Sequence, residues 1–272
     1  MVSILPSFLV LLVGILLEFT PVTSQAQARL YLDLQVGANY THAEGAYFGK
    51  GTRPFKAYNP RQSFDEQGVV RLRLQASEKF GISVGYNGST LGWSYSLKVP
   101  NADSYNPFGG GQYGSSSGIY MHQFPLLFTH TIGRYNIKEI DEVRHLYLMS
   151  FRLDVVGGGG LNRIQENYSL NNFGIGSLYD TIEFRETIIQ RRRWGGFLIG
   201  GATARFYRLG KERLNLSVYY TQGLTDMLLV PVAYRYNARR GATTLHVRGS
   251  GLSATLGVPI RLATFKNVFL GH

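Results

Sequence analysis

Residues 30–39 read Leu30-Tyr31-Leu32-Asp33-Leu34-Gln35-Val36-Gly37-Ala38-Asn39. Leu30, Leu32, Leu34, Val36 and Ala38 share one parity; Tyr31, Asp33, Gln35, Gly37 and Asn39 share the other. Side chains of a β-strand alternate between two faces, so this stretch reads as a strand with one apolar and one polar face. Soluble sandwiches and membrane barrels both use such strands. The rest of the chain decides between them.

The pattern recurs seven more times. Val70, Leu72, Leu74 and Ala76 oppose Arg71, Arg73 and Gln75. Phe80, Ile82, Val84 and Tyr86 oppose Gly81, Ser83, Gly85 and Asn87, after which the apolar parity moves to Leu91, Trp93, Tyr95 and Leu97. A β-bulge within Gly88–Thr90 is the expected cause of that move. Further strands are centred on Phe124–Phe128, Tyr147–Val155, Leu198–Phe206, Leu214–Tyr220 and Leu252–Leu262. Nothing in the chain carries a helical period.

The eight strands are joined by links of two kinds. Ser77–Lys79, Gly133–Val143 and Tyr207–Arg213 are short, whereas 41–68, 98–118, 156–193 and 225–241 are long, and the two kinds alternate. An outer-membrane barrel requires this, with periplasmic turns at one end and extracellular loops at the other. The expected fold is therefore all-β, an eight-stranded, antiparallel, up-and-down transmembrane β-barrel. Within the long links, 181–190, 230–236 and 242–247 are β-prone and extend the hairpins beyond the membrane as ribbons. Trp93, Tyr95, Tyr120, Trp194 and Tyr220 lie near strand ends and fit either interfacial girdles or ordinary sheet packing.

The N-terminus reads as an address. Ile4–Leu17 is almost wholly apolar, Glu18 ends the run, and Ala26-Gln27-Ala28 closes the polar stretch that follows. A spanning helix needs about 20 residues, while small residues at alternate positions suit signal peptidase. Residues 1–28 are expected to be removed, with cleavage after Ala28 or, as second choice, Ala26. A retained anchor is the alternative. Residues 29–272 then form the barrel, exported to a bacterial outer membrane. The chain has no cysteine, which excludes disulfides, thiolate metal sites and a lipidated N-terminal Cys. Net charge is +11, with basic residues scattered along the chain. That is not the clustered footprint of a nucleic-acid-binding surface; lipid and lipopolysaccharide phosphates are the expected anionic partners.

Gln123-Phe124-Pro125-Leu126-Leu127-Phe128, the strand Phe151–Asn162 running into a Gly-rich tract, and Leu256-Gly257-Val258-Pro259-Ile260 carry a family likeness. Together they resemble the small outer-membrane β-barrel proteins of the Bacteroidota, the PorT-like group. The resemblance implies an outer-membrane barrel. It implies no single activity, since the group includes secretion-system accessories. Here Gly271-His272, not an aromatic residue, ends the chain.

Asp33, Arg71, Arg73, Arg152, Asp154, Arg205 and Arg261 have the parity of the barrel interior. They form either an ion-pair network that closes the lumen or the lining of a narrow gated pore. Arg191-Arg192-Arg193-Trp194 re-enters the barrel from the third long link. These residues are a candidate lipopolysaccharide contact, guanidinium being a good phosphate partner, or else a solvated charge run. Gly157–Gly160 lacks the Gly-Lys-Ser/Thr of a phosphate loop and reads as a flexible entry or a place without room for side chains. Lipid A deacylases on such barrels set His and Ser two apart. None of His42, His122, His130, His145 or His246 has Ser at that spacing, and Ser250 lies ~13 Å from His246 along a strand. No metal-ligand spacing occurs, and no catalytic residue, metal or cofactor is expected. The functional expectation is a non-enzymatic surface-binding or envelope-assembly component with a closed lumen. An accessory subunit of a type IX-like secretion or envelope complex, or a lipid A-modifying enzyme, are the alternatives.

Overall fold

The computed structural model describes residues 28–45, 55–56, 64–98, 112–141, 146–165, 170–176, 181–237 and 239–265. The expected signal peptide, apart from Ala28, lies outside the described residues. The strands are β1 (Ala28–Gly45), β2 (Phe55–Lys56), β3 (Phe64–Gln75), β4 (Phe80–Lys98), β5 (Gln112–Asp141), β6 (Leu146–Ile164), β7 (Leu170–Gly176), β8 (Thr181–Thr187), β9 (Ile189–Gln190), β10 (Trp194–Arg208), β11 (Lys211–Gly223), β12 (Leu228–Tyr236) and β13 (Arg239–Phe265).

Eight of them close a ring in the order β1-β3-β4-β5-β6-β10-β11-β13, and β13 pairs back onto β1. Every pairing is antiparallel. Each expected strand lies within one member of this ring. Closure leaves the ring no free edge to pair with another chain.

The ring is inside-out over most of its height. Leu34, Val36, Val70, Leu72, Val84, Leu198, Leu216, Val218, Leu256 and Val258 are exposed, while Asp33, Gln35, Arg71, Arg73, Ser83, Thr203, Ser217 and Thr255 are buried. Towards the loop end the arrangement inverts. Leu91, Trp93, Tyr95 and Leu97 of β4 are at most 1% exposed. They join Ile119 and Met121 of β5, Ile164 of β6, and Leu245 and Val247 of β13 in an apolar core. The expected bulge in Gly88–Thr90 is absent. β4 keeps one register with β5 from Phe80↔His130 to Lys98↔Gln112. Odd-numbered residues of β4 face inward throughout; what changes is the chemistry on that face.

The second wall of this core is an added sheet. The upper part of β13 pairs with β12, β12 with β8, and β8 with β7. Leu228, Val230, Val232, Tyr234 and Tyr236 of β12 pack inward with Ile182 and Phe184 of β8. Tyr95 binds this wall directly. Its ring lies 5.7 Å from that of Phe184, and its hydroxyl donates to Glu186 Oε2 at 2.8 Å. Burial, and then the Glu186 charge, push that hydroxyl's pKa well up. The β-prone stretches expected within the long links are these elements.

The turn end departs from the expected links in two places. Within the expected link Gly133–Val143, residues 133–141 extend the β5–β6 hairpin, because β5 runs to Asp141, with register shifts at Thr131/Gly133 and beyond. The link Tyr207–Arg213 reduces to a two-residue turn at Leu209-Gly210, both with positive φ (49° and 71°), the type I′ geometry that suits strand twist.

Candidate functional site

The first candidate site is the lumen. β1, β3, β6, β10 and β11 each turn charged side chains inward. Arg73 grips Asp33 with two hydrogen bonds, 2.7 Å from Nε and 3.0 Å from Nη2, and reaches Glu212 Oε1 at 2.9 Å. Glu212 also accepts from Arg205 Nη1 at 3.3 Å. Arg205 Nε bonds Asp154, which pairs with Arg152 at 3.1 Å and accepts from Thr131 Oγ1 at 2.8 Å. The guanidinium of Arg73 lies 4.2 Å from the centre of the Tyr31 ring. Arg71 bonds the Tyr219 hydroxyl at 2.9 Å and Asn87 at 3.5 Å. A buried charge is tolerated only when paired and hydrogen-bonded. Arg73, Arg152 and Arg205 are paired with carboxylates, whereas among the described residues Arg71 is held by the Tyr219 hydroxyl and Asn87 alone. The space left among Asp33, Arg71, Arg73, Thr203, Arg205, Asn215 and Tyr219 is about 10 Å³. One water needs about 10–15 Å³.

Six of the seven residues expected in the interior therefore stand there. Arg261 does not. It is exposed near the end of β13, opposite Tyr31 and beside a register shift at Leu30/Tyr31. β11 no longer pairs with β13 at that height, the last pair being Asn215↔Gly257, so parity there no longer means enclosure. Glu212 is the residue that sequence reasoning missed. Its parity is opposite to that of Asn215, Ser217 and Tyr219, and it falls in the expected link Tyr207–Arg213. The shift between Phe206↔Leu214 and Tyr207↔Glu212 leaves Arg213 as an extra residue and turns Glu212 inward. A charge tally is the available signal: five arginines of inward parity face two aspartates.

The second candidate is on the outside, where the apolar face ends. Gly88, His122, Arg163 and Trp194 are successive register partners on β4, β5, β6 and β10. Arg163 lies over the Trp194 ring at 5.7 Å, and that ring is 6.2 Å from Phe124. The Tyr86 hydroxyl is 2.8 Å from His122 Nδ1 and 3.3 Å from the Tyr120 hydroxyl. Tyr120 and Trp194 are exposed here, as girdle residues are, and Tyr220 is exposed on β11. Trp93 and Tyr95 are not, because they belong to the loop-end core. Arg191, Arg192 and Arg193 are exposed immediately above Trp194; the amides of Arg191 and Arg192 both donate to the Met227 carbonyl.

A third cluster lies just above this row. Asp226 accepts from Arg248 Nε at 2.6 Å and meets His246 Nδ1 at 3.0 Å. Burial would raise the Asp226 pKa, but Arg248 and His246 outweigh it and hold the carboxyl below its usual 3.8. Ser250 is engaged elsewhere, accepting from the Gly223 amide and from Gln222 Nε2. The residues thus supply a histidine and an acid with no serine beside them. The Gly157–Gly160 tract is no flexible entry but part of β6. A Cβ on Gly158 would lie 2.1 Å from the Leu126 carbonyl oxygen, so bulk is excluded there.

No protein-family model matches the chain, and no curated protein matches it significantly. Among solved structures it is similar to the outer membrane protein OprG from Pseudomonas aeruginosa, at 10% identity over 88% of this chain and 98% of that chain, with a TM-score of 0.37. It is also similar to the transport unit of the autotransporter AIDA-I from Escherichia coli, at 7% identity over 91% and 94% of the two chains, TM-score 0.22. A third likeness is to an outer membrane channel from Pseudomonas putida F1, at 10% identity over 89% and 98%, TM-score 0.16.

Proposed function

We propose that the mature chain, without residues 1–28, is a bacterial outer-membrane β-barrel with a closed lumen. It presents its loop-end β-structure as a surface for binding or envelope assembly. The observation that carries this reading is the inversion within one continuous sheet. Apolar side chains face outward where the ring is charged inside, and inward where the strands rise past the row Gly88–Trp194. An apolar outer face exposed to water would cost about 25 cal/mol per Å², whereas the same face in hydrocarbon costs nothing. Water outside the upper part reverses the preference.

Two aromatic belts support the boundaries. Tyr86, Tyr120, Phe124 and Trp194 mark one. At the other, Tyr135 stacks on Phe151 at 4.8 Å and Phe151 meets Phe206 at 6.2 Å. Phe206 and Trp194 are 12 residues apart on β10. That is ~40 Å along a strand, or about 30 Å after a tilt of 35–45°, close to the apolar band of about 25 Å in such barrels. The ion-pair network fills the lower lumen and the apolar core fills the upper, which favours a plug over a pore. In this reading Arg191–Arg193 and Trp194 meet lipopolysaccharide phosphates.

The test is reconstitution. Purified protein inserted in liposomes should show heat-modifiable gel mobility and small-solute flux no greater than that of empty liposomes. Flux above that background sinks the closed lumen, and mobility that does not change on heating sinks the barrel.

A further inference from the structure

The outer face is not uniform. A groove of about 470 Å³ runs over Gly68 and Gly88 between walls made by Leu34, Val36, Val70 and Tyr120, and continues to Leu256 and Val258. Gly68 and Gly88 are register partners, so two neighbouring strands lack side chains at one height. The gap at Gly88 has a structural use. A Cβ there would lie 2.1 Å from the Tyr120 hydroxyl, so glycine lets Tyr120 lie down beside Tyr86. Gly68 has no such use, because a Cβ there would meet nothing within 4 Å. It leaves open space on the outer face, as the register partners Gly157 and Gly200 do between β6 and β10, but here the space is walled by Leu34, Val36, Val70 and Tyr120.

The groove has a polar end. Tyr86, Tyr120 and His122 form a hydrogen-bonded cluster pointing outward where the apolar face stops. With Nδ1 of His122 held by Tyr86, Nε2 is the ring atom left for a ligand. Arg163 is the next residue in the same row and has no carboxylate partner among the described residues. Its guanidinium is held on the Trp194 ring, so little further ordering is needed for it to bind an oxyanion. The trough ends at the phenols of Tyr86 and Tyr120, with the His122 imidazole bonded to Tyr86 and the Arg163 guanidinium one strand further along the row; an acyl chain bearing a phosphate is complementary to this arrangement.

Resting on the membrane reading above, we propose that this groove is a binding site for a phosphate-bearing lipid of the outer leaflet. One acyl chain lies over Gly68, beside the Tyr120 ring that covers Gly88. The phosphate sits between Arg163 and His122, with the Tyr86 and Tyr120 hydroxyls as further hydrogen-bonding groups. Charge complementarity selects an anionic lipid over a neutral one.

The experiment measures binding of diphosphorylated lipid A, and of the same lipid without phosphates, to the full-length protein in nanodiscs of neutral lipid. Native mass spectrometry reads the stoichiometry. Gly68→Phe, which fills the groove, should weaken lipid A binding by roughly tenfold or more. The double variant Arg163→Gln/His122→Gln should weaken it by roughly tenfold or more, and leave binding of the phosphate-free lipid unchanged. Both variants binding like wild type would overturn the proposal, as would loss of binding only on replacing Arg191–Arg193 with Ala. Heat-modifiable mobility is recorded for each protein. Its failure in the wild type would count against the membrane reading, whereas binding failure in a folded barrel counts against the groove alone. The double variant alters only residues on the outer face, so it decides the matter even if Gly68→Phe fails to fold.

Discussion

Glu212 is the hinge of the charged lumen, because one of its carboxylate oxygens serves both Arg73 and Arg205. Glu212→Gln leaves two buried guanidinium groups sharing fewer acids. Breaking a buried pair in this way costs about 3–5 kcal/mol. The urea midpoint for loss of heat-modifiable mobility should fall accordingly. Arg261→Gln is the control, since Arg261 is exposed and outside the network, and its effect should stay within about 0.5 kcal/mol. The two residues also show where parity stops being informative. Parity places a side chain inside or outside only while the register is unbroken and the ring is closed. A bulge at Arg213 breaks the first condition for Glu212, and the end of the ring breaks the second for Arg261.

At the scale of the element, β4 is the instructive strand. Its apolar residues change parity near Gly88, a change that in sequence alone implies a bulge. The strand has none. One face points inward along its whole length, and the chemistry of that face changes instead, so apolar side chains face out below and in above. Trp93 shows what the upper part is built for, being buried with β8 and β12 residues in the loop-end core. Trp93→Ala should cost about 3–5 kcal/mol locally. Hydrogen exchange should then show residues 182–188 and 228–236 losing protection while the ring strands keep theirs. Uniform loss across the ring would show that the cap and the ring fold as one unit.

For the whole molecule the decisive quantity is the preference of the outer face for hydrocarbon. Val218 stands near mid-height on β11 and is 45% exposed. In a soluble protein an exposed valine tolerates a charge within about 0.5 kcal/mol. In a bilayer, Val218→Arg should cost about 2–4 kcal/mol, the range for arginine at the midplane of a barrel. Folding into liposomes at a series of urea concentrations checks this, and no change in midpoint would argue against a lipid-facing surface.

Alternation of side chains is local chemistry, so Leu30–Asn39 and its counterparts reveal eight strands without any tertiary information. The alternation of short and long links then implies an up-and-down order, and the inward parity names six members of the charged lumen. Register between paired strands decided the rest. Ring closure through Leu32↔Ile260 and the folding of β12 and β8 over β4 depend on segments far apart in sequence, while the bulge that turns Glu212 inward and the meeting of Gly68 with Gly88 depend on register across a hairpin. Register is fixed by the joint packing of both strands and their neighbours, which no single stretch of sequence contains.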